Sequence, residues 1–209
     1  MSKHLRIWLF AILGTLLAST TLLAQGVITM TTSKRVGETI LLKVVANDNV
    51  SIEGALENGE MSEDGFKFYT TKSQTITIRG DVTELDCNEN QLTCLNVSKN
   101  TALKLLDCSW NQLTSLNVSK NTALKVLECS GNQLTSLNIS GCARLRIIAC
   151  DSNYIKGKAM TKLVNSLPNR RGMYCGIIYL VDRSSKKKDK NSCSDADVTI
   201  SEKKNWRVL

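Results

Sequence analysis

The sequence predicts a solenoid, in which short strands from successive repeats stack into a parallel β-sheet. Two observations support this fold class. Four cysteines recur every 21 residues within similar phrases (LDCNEN, LDCSWN, LECSGN and IACDSN), and an asparagine follows each of them by three residues. A fixed period near 20 residues indicates units that bury their apolar faces only by stacking on one another.

The repeats begin at Val82, Leu103, Leu124 and Leu145 and share the pattern L-x-x-L-x-C-x-x-N-x-L-x-x-L-x-V-x-x-N-T-A. This is a leucine-rich repeat pattern with cysteine at one leucine position. Because strand side chains alternate between two faces, the second leucine of each unit should point inward together with the cysteine. These inward residues are Leu85, Leu106, Leu127 and Ile148, with Cys87, Cys108, Cys129 and Cys150.

The cysteine ladder has three interpretations, which are small apolar core residues, metal ligands and disulfides. Cysteines on adjacent strands lie ~4.8 Å apart in a line, which cannot enclose a zinc ion. Side chains in register also point the same way, which disfavours disulfides. We therefore expect core thiols and no metal site or cofactor. Cys175 and Cys193 are the better candidates for a disulfide.

The asparagine ladder has a structural explanation. A coil that leaves its strand buries backbone groups, and an amide side chain offers both donors and an acceptor to satisfy them. We assign this role, and no catalytic role, to Asn90, Asn111, Asn132 and Asn153.

The segments around the repeats predict a four-part organisation. Residues 1–24 resemble an export signal, because Lys3 and Arg6 precede an apolar run that is short for a membrane anchor. Residues 25–81 form a β-rich cap or an independent binding module, with strands over 27–32, 38–45, 50–54, 66–71 and 74–80 and turns near 37, 47–49 and 57–59. Residues 82–155 are the repeats. Residues 156–209 form an α/β cap, with helices over 159–167 and 195–205 and strands over 176–181 and 206–209.

The charge pattern gives weak evidence about partners. The net charge is +8, and removal of Lys3 and Arg6 with the signal leaves +6. Arg183, three lysines at 186–188 and Lys190 form a basic run. Such a run attracts nucleic acid or forms a solvated loop, and we expect the loop because no aromatic residues are interleaved to stack bases.

The strand positions next to the buried ones should face solvent on the concave side of the solenoid. One column of this face then consists of Asp86, Asp107 and Glu128. In the last three repeats a cation lies three residues before the position of this column, and these cations are Lys104, Lys125 and Arg146. Three interpretations remain, which are a charge-balanced solvated face, a binding strip and, least favoured, a hydrolytic site. The predicted binding residues are Glu84, Asp86, Leu105, Asp107, Trp110, Val126, Glu128, Ile147 and Asp151. Four strands span only ~14 Å, so this strip alone predicts weak binding.

The phrase N-Q-L-T-x-L-N-V-S-K-N-T-A-L resembles the repeats of the bacterial internalin-related leucine-rich repeat proteins. It looks most like the internalin J type, in which cysteine occupies a repeat leucine position. The flanking ITIRGDVTELDC and KGKAMTKLVNSLPNR resemble the segments that precede and follow such repeats. The resemblance implies an exported bacterial protein, often surface-attached, that acts in adhesion or in host or community interaction. Larger members carry an anchoring module, and this sequence shows none before Leu209.

Two functions fit these observations. The first is an exported, non-catalytic interaction module that is secreted, periplasmic or on the cell surface, has no transmembrane segment after signal cleavage, and binds a protein or surface glycan rather than nucleic acid. The second is a structural, self-associating component of the cell envelope. Catalysis is disfavoured because the only histidine, His4, lies in the signal, which removes histidine-based nucleophile pairs.

Overall fold

The computed structural model describes residues 26–182 and 189–209. The predicted signal (1–24) and residues 183–188 of the basic run lie outside this range. The described residues form thirteen strands and two helices. The strands are β1 (Val27–Thr32), β2 (Thr39–Ala46), β3 (Ser51–Glu53), β4 (Ala55–Met61), β5 (Lys67–Thr71), β6 (Thr75–Arg79), β7 (Val82–Asp86), β8 (Leu92–Asn96), β9 (Leu105–Asp107), β10 (Val126–Glu128), β11 (Ile147–Ala149), β12 (Gly176–Tyr179) and β13 (Trp206–Val208), and the helices are α1 (Lys158–Ser166) and α2 (Asp195–Lys203).

The repeats stack as a solenoid. Strands β7, β9, β10 and β11 pair in parallel. Their partner residues are 21 positions apart, so the inward Leu85, Leu106, Leu127 and Ile148 lie in register across four strands, and all four are fully buried. The register follows from the burial pattern, because a slip of one residue would turn these side chains to solvent.

The solenoid sheet is longer than the sequence indicates. Strands β12 and β13 continue the parallel stack after β11, and β2 adds antiparallel to β7. The complete order is β13-β12-β11-β10-β9-β7-β2-β5-β4. The four repeat strands alone span ~14 Å, whereas the nine strands of the whole sheet at ~4.8 Å spacing span ~38 Å. The strand pairing also crosses the predicted boundaries at 81/82 and 155/156. At β2 the partner changes along the strand, because residues 39–42 pair with β5 and residues 43–46 pair with β7.

The N-terminal segment forms two layers beside the first coil. Strands β3, β6, β1 and β8 make a second, four-stranded antiparallel sheet. Its last member, β8, follows β7 in the first repeat, so the chain passes from one sheet into the other. The buried side chains of β1 and β6, including Ile28, Met30, Ile76 and Ile78, join the same apolar core as the repeats. The first coil is thus covered by strands on its N-terminal side.

One N-terminal element differs from the sequence expectation. The predicted turn at 57–59 lies inside β4, where Gly59 has a φ of 84°. The pairing of β4 with β5 shifts between Glu57 and Met61, which marks a bulge. A turn-like signal from glycine and asparagine also suits a bulge, since both residues tolerate a positive φ.

The C-terminal segment packs helices and strands beyond the last repeat. Helix α1 buries Met160, Leu163 and Val164. Helix α2 begins at a capping box in which Ser194 and Asp197 satisfy each other's backbone N–H groups. In the described range, no helix is both long and apolar enough to cross a membrane.

Candidate functional site

The predicted binding residues lie on the exposed side of the solenoid sheet, here called the solvent face. Glu84, Leu105, Val126 and Ile147 are paired in register, and Ile177 of β12 continues this largely apolar column. Asp86, Asp107 and Glu128 form the second, acidic column, which Ala149 and Tyr179 continue. Each central strand buries its middle residue and leaves the flanking ones half-buried, so both columns point away from the core.

The solvent face also contains residues that the sequence did not place there. Lys43 and Val45 of β2 pair with Asp86 and Glu84 on one side of the repeats. On the other side Ile177 pairs with Arg207 of β13. The segments around these residues were predicted as strands, but no repeat signature assigned them to this sheet. Lys43 therefore borders the repeat strands on one side, and Arg207 lies two strands beyond them on the other side.

The carboxylates of the acidic column repel one another. Partial burial raises the pKa of Asp86, and the charge of Asp107 raises it further, against hydrogen bonds from Asn88 that lower it. Partial burial also raises the pKa of Glu128, with added repulsion from Asp107 and Asp86. The two salt bridges between described residues, Lys67–Glu57 and Arg79–Glu53, lie elsewhere. Within the described part of the chain, Lys104, Lys125 and Arg146 thus form no ion pair with the column.

The asparagine ladder connects successive coils below this face. Asn132 is representative, because its Nδ2 donates to the carbonyls of Cys108, Cys129 and Ser130 at 3.0–3.3 Å, and its Oδ1 accepts from the Leu113 N–H at 3.0 Å. Asn111 and Asn153 make the equivalent contacts one coil away on either side, and Asn111 Oδ1 also accepts from the Asn90 N–H at 3.1 Å. The Asn90 side chain instead contacts β2. Its Oδ1 accepts from the Leu41 N–H, and its Nδ2 donates to the Leu41 carbonyl.

The cysteine ladder lies entirely within the core. Cys87, Cys108, Cys129 and Cys150 have no solvent exposure, and burial raises the pKa of each thiol well above its usual value. The thiols of Cys87, Cys108 and Cys150 donate to backbone carbonyls at 3.3–3.5 Å. No disulfide joins Cys175 and Cys193. The ladder thus supplies packing and weak hydrogen bonds to the scaffold that supports the solvent face.

Trp110 occupies an unusual turn position just past β9. The equivalent residues of the four repeats all have a positive φ: 54° at Glu89, Trp110 and Ser152, and 67° at Gly131. Non-glycine residues rarely adopt this conformation. The glycine at 131 is the one sign of it in the sequence. The turn lifts Trp110 from the sheet, and its side chain remains 60% exposed.

The Trp110 ring lies on the backbone of Gly131, the equivalent residue of the next repeat. A Cβ atom at position 131 would meet ring carbon Cε3 at 2.5 Å. Two open depressions meet at this tryptophan. One, of about 420 Å³, is lined by Asp107, Glu128 and Asp151 among others, and one, of about 470 Å³, extends toward Tyr154 and Lys190.

Asp151 is oriented by neighbouring hydroxyl groups. Its Oδ1 accepts from Ser130 Oγ at 2.6 Å and its Oδ2 from Ser152 Oγ at 3.3 Å. In the second depression, Lys190 donates to the Tyr154 hydroxyl at 2.6 Å, and its Nζ lies 4.4 Å from the centre of the Tyr154 ring. In the described ranges, no group of three His, Cys, Asp or Glu side chains is arranged to hold a metal ion.

Comparison with known proteins gives limited similarity. No family model matches the sequence, and no curated protein matches it. An internalin of Listeria monocytogenes, InlF, is similar in structure, with 18% identity and a TM-score of 0.45 over 60% of this chain and 34% of that one. The functional domain of InlJ from Listeria monocytogenes, which includes a cysteine ladder, has 27% identity and a TM-score of 0.33 over 48% of this chain and 26% of that one.

The chain thus spans about a third and a quarter of the lengths of these two internalin structures. Both TM-scores lie below 0.5, so the likenesses do not assign a family. The solenoid architecture rests on the strand pairing within the chain itself.

Proposed function

We propose that this chain is an exported, non-catalytic interaction module of internalin-like type that binds a protein partner through its solvent face. The observation that carries the proposal is the length of the sheet that bears this face, which has nine strands rather than four. A strip of four strands is small beside the ~800 Å² per partner of a stable interface. A sheet ~38 Å wide with strands ~10 Å in length offers roughly 400 Å², more than twice the area of four such strands, and the adjoining turns add to it.

The chemistry of the face also supports binding. Its apolar column is half-buried, its acidic column forms no salt bridge with the described residues, and Trp110 projects beside both. Interfaces are enriched in such exposed aromatic residues, and these residues often dominate the binding energy. We further propose that the segments before and after the repeats cap the ends of the solenoid, and that residues 1–24 direct the chain out of the cytoplasm, to the periplasm, the surface or the medium.

The test is capture of partners from bacterial and host surface extracts by wild type and by two charge-reversal variants. Asp107→Lys alters the centre of the solvent face, and Glu202→Lys makes the same change on helix α2, outside the sheet. We expect Asp107→Lys to lose the proteins that wild type and Glu202→Lys retain, with circular dichroism spectra unchanged. Equal capture by all three proteins would mean that the solvent face is not the binding surface.

A second candidate function is self-assembly in the envelope, and one observation favours it. Strand β4 is an open edge of the long sheet, and its Leu56 and Met61 are 59% and 67% exposed. Exposed, apolar strand edges pair readily with other chains. Sedimentation of the protein at high micromolar concentration separates the two functions, since self-assembly predicts a concentration-dependent increase in mass and a monomer argues against it.

A further inference from the structure

The solvent face is chemically one-sided where Trp110 projects. The depression on that side is lined by the carboxylates of Glu89, Asp107, Glu128 and Asp151, and by no lysine or arginine among the described residues. These four carboxylates come from four successive repeats, so the stacking of the solenoid itself brings them together. The cations paired into the same face, Lys43 and Arg207, belong to strands outside the repeats.

Trp110 adds a flat aromatic surface to this negative surrounding. Its ring lies on Gly131, which can have no side chain without displacing it, and the residue nevertheless stays 60% exposed. An aromatic face attracts cations through its quadrupole, and tryptophan does so most strongly. Guanidinium groups also stack on such rings while they bond carboxylates in a planar fork.

The apolar column lies next to the acidic column along the same strands. Leu105, Val126, Ile147 and Ile177 are each two residues from a member of the second column, which is ~6.7 Å along a strand. A bound chain therefore meets apolar and acidic surface side by side. This pairing suits a partner with apolar and cationic side chains, and it is unfavourable for the phosphates of nucleic acid.

We propose that the solvent face docks a protein segment in which arginine or lysine side chains stand beside apolar ones, with one cation stacked on Trp110 and contacting Asp107 and Glu128. This inference rests on the proposed function and names its partner chemistry. The charge complementarity between the acidic depression, which no described lysine or arginine lines, and a basic segment is what selects this occupant. A second copy of this chain and a neutral glycan are the competing occupants that the experiment addresses.

The experiment uses three synthetic peptides of about 10 residues, long enough to cross ~34 Å of the sheet. All three alternate leucine with a second residue, which is arginine, glutamate or serine. Affinity for the protein is measured by fluorescence anisotropy. We expect the arginine peptide to bind at least ~10-fold more tightly than the other two, and this preference to decrease by ~0.5 M NaCl because salt screens exposed charges.

Variants with conservative substitutions locate the site and separate a loss of binding from a loss of folding. Asp107→Asn with Glu128→Gln removes two charges without changing side-chain size, and Glu202→Gln is the matched control on α2. We expect the double variant to bind the arginine peptide roughly 3- to 10-fold more weakly, at a typical strength of exposed charge pairs. Trp110→Ala should weaken binding as well, while Glu202→Gln should bind like wild type.

Three outcomes would overturn the inference. They are no preference for arginine over glutamate and serine, unchanged affinity in the double variant, and a preference that survives high salt. Self-association of the protein at the concentrations of the titration, or displacement of the arginine peptide by neutral oligosaccharides, without the charge dependence, would assign the face to those occupants instead. Asp107→Lys could lose the captured partners while the protein binds the three peptides equally well. That result would contradict this inference but would still support the proposed function.

Discussion

At the residue level, each asparagine of the ladder supplies hydrogen bonds to turn backbone groups that have no backbone partner. Asn132 makes four hydrogen bonds to backbone groups of two coils, and is itself almost fully buried. Buried backbone groups cost free energy when they are left unpaired. The ladder therefore stabilises the turns that follow the repeat strands, including the turn from which Trp110 projects.

Asn132→Ala should lower the free energy of unfolding by ~2–4 kcal/mol, because it leaves several buried groups without partners. Urea denaturation measures the change. Asn49→Ala is the control, since Asn49 is exposed and its side chain makes no hydrogen bond to a described residue, and it should change stability by less than ~0.5 kcal/mol. Equal effects of the two substitutions would contradict the structural role of the ladder.

The contact between Trp110 and Gly131 is a second feature of single residues. Gly131→Ala should destabilise the protein by ~1–3 kcal/mol, because it places a methyl group against the ring and an alanine at positive φ. In a Trp110→Ala background the steric part of this cost should disappear. A double-mutant cycle by urea denaturation measures the coupling, and a cost that is the same in both backgrounds would show that the ring does not lie on Gly131.

At the level of elements, the register of the parallel strands fixes both ladders and both solvent-facing columns. Period-21 positions could therefore be predicted from the sequence, including the inward Leu106 and the outward Asp107. The sheet extensions could not, because β12 and β13 follow no repeat pattern and β2, which precedes the repeats, joins β7 through a long-range antiparallel pairing. The turn conformation at Trp110 was also missed, since only Gly131 indicates a positive φ in the sequence.

The cysteine ladder predicts a pattern of thiol reactivity. Iodoacetamide should modify Cys94 and Cys175 in the native protein, because both are exposed. Cys87, Cys108, Cys129 and Cys150 should react only after unfolding, because they are buried and their raised pKa values suppress the reactive thiolate. Peptide mass spectrometry reads out each site. Modification of the ladder at the rate of Cys94 would be inconsistent with a stacked core.

The acidic column on β7, β9 and β10 predicts that the free energy of unfolding depends on pH. The pKa of Glu128 is raised above its ordinary value of 4.5 by burial and by Asp107 and Asp86. Because the folded protein holds this proton more tightly than the unfolded chain does, protonation of Glu128 stabilises the fold. This stabilisation is present below about pH 4.5 and is lost as the pH rises through the raised pKa of the folded state.

Glu128→Gln should consequently stabilise the protein at about pH 7, relative to wild type, more than it does at about pH 3.5. Urea denaturation at both pH values gives the comparison. Glu202→Gln on α2 is the control for the loss of a carboxylate as such. A stabilisation by Glu128→Gln that is the same at both pH values would mean that repulsion in the column does not strain the folded state.

For the whole molecule, the repeats and both flanking segments build one sheet. The N-terminal strands and the C-terminal strands lengthen the solvent face as well as adding to the core. This organisation gives the chain a wider sheet than its four repeats alone would form, which supports the proposed binding function. It also predicts that binding depends on residues at the centre of the sheet, where the apolar and acidic columns meet.

The most direct measurement is the dissociation constant of a partner captured from surface extracts, determined by calorimetry for wild type, Asp107→Lys and Glu202→Lys. We expect Asp107→Lys to raise the constant by ~10-fold or more, and Glu202→Lys to leave it unchanged. Equal dissociation constants for wild type and Asp107→Lys would contradict the central claim that the solvent face of the sheet is the binding surface.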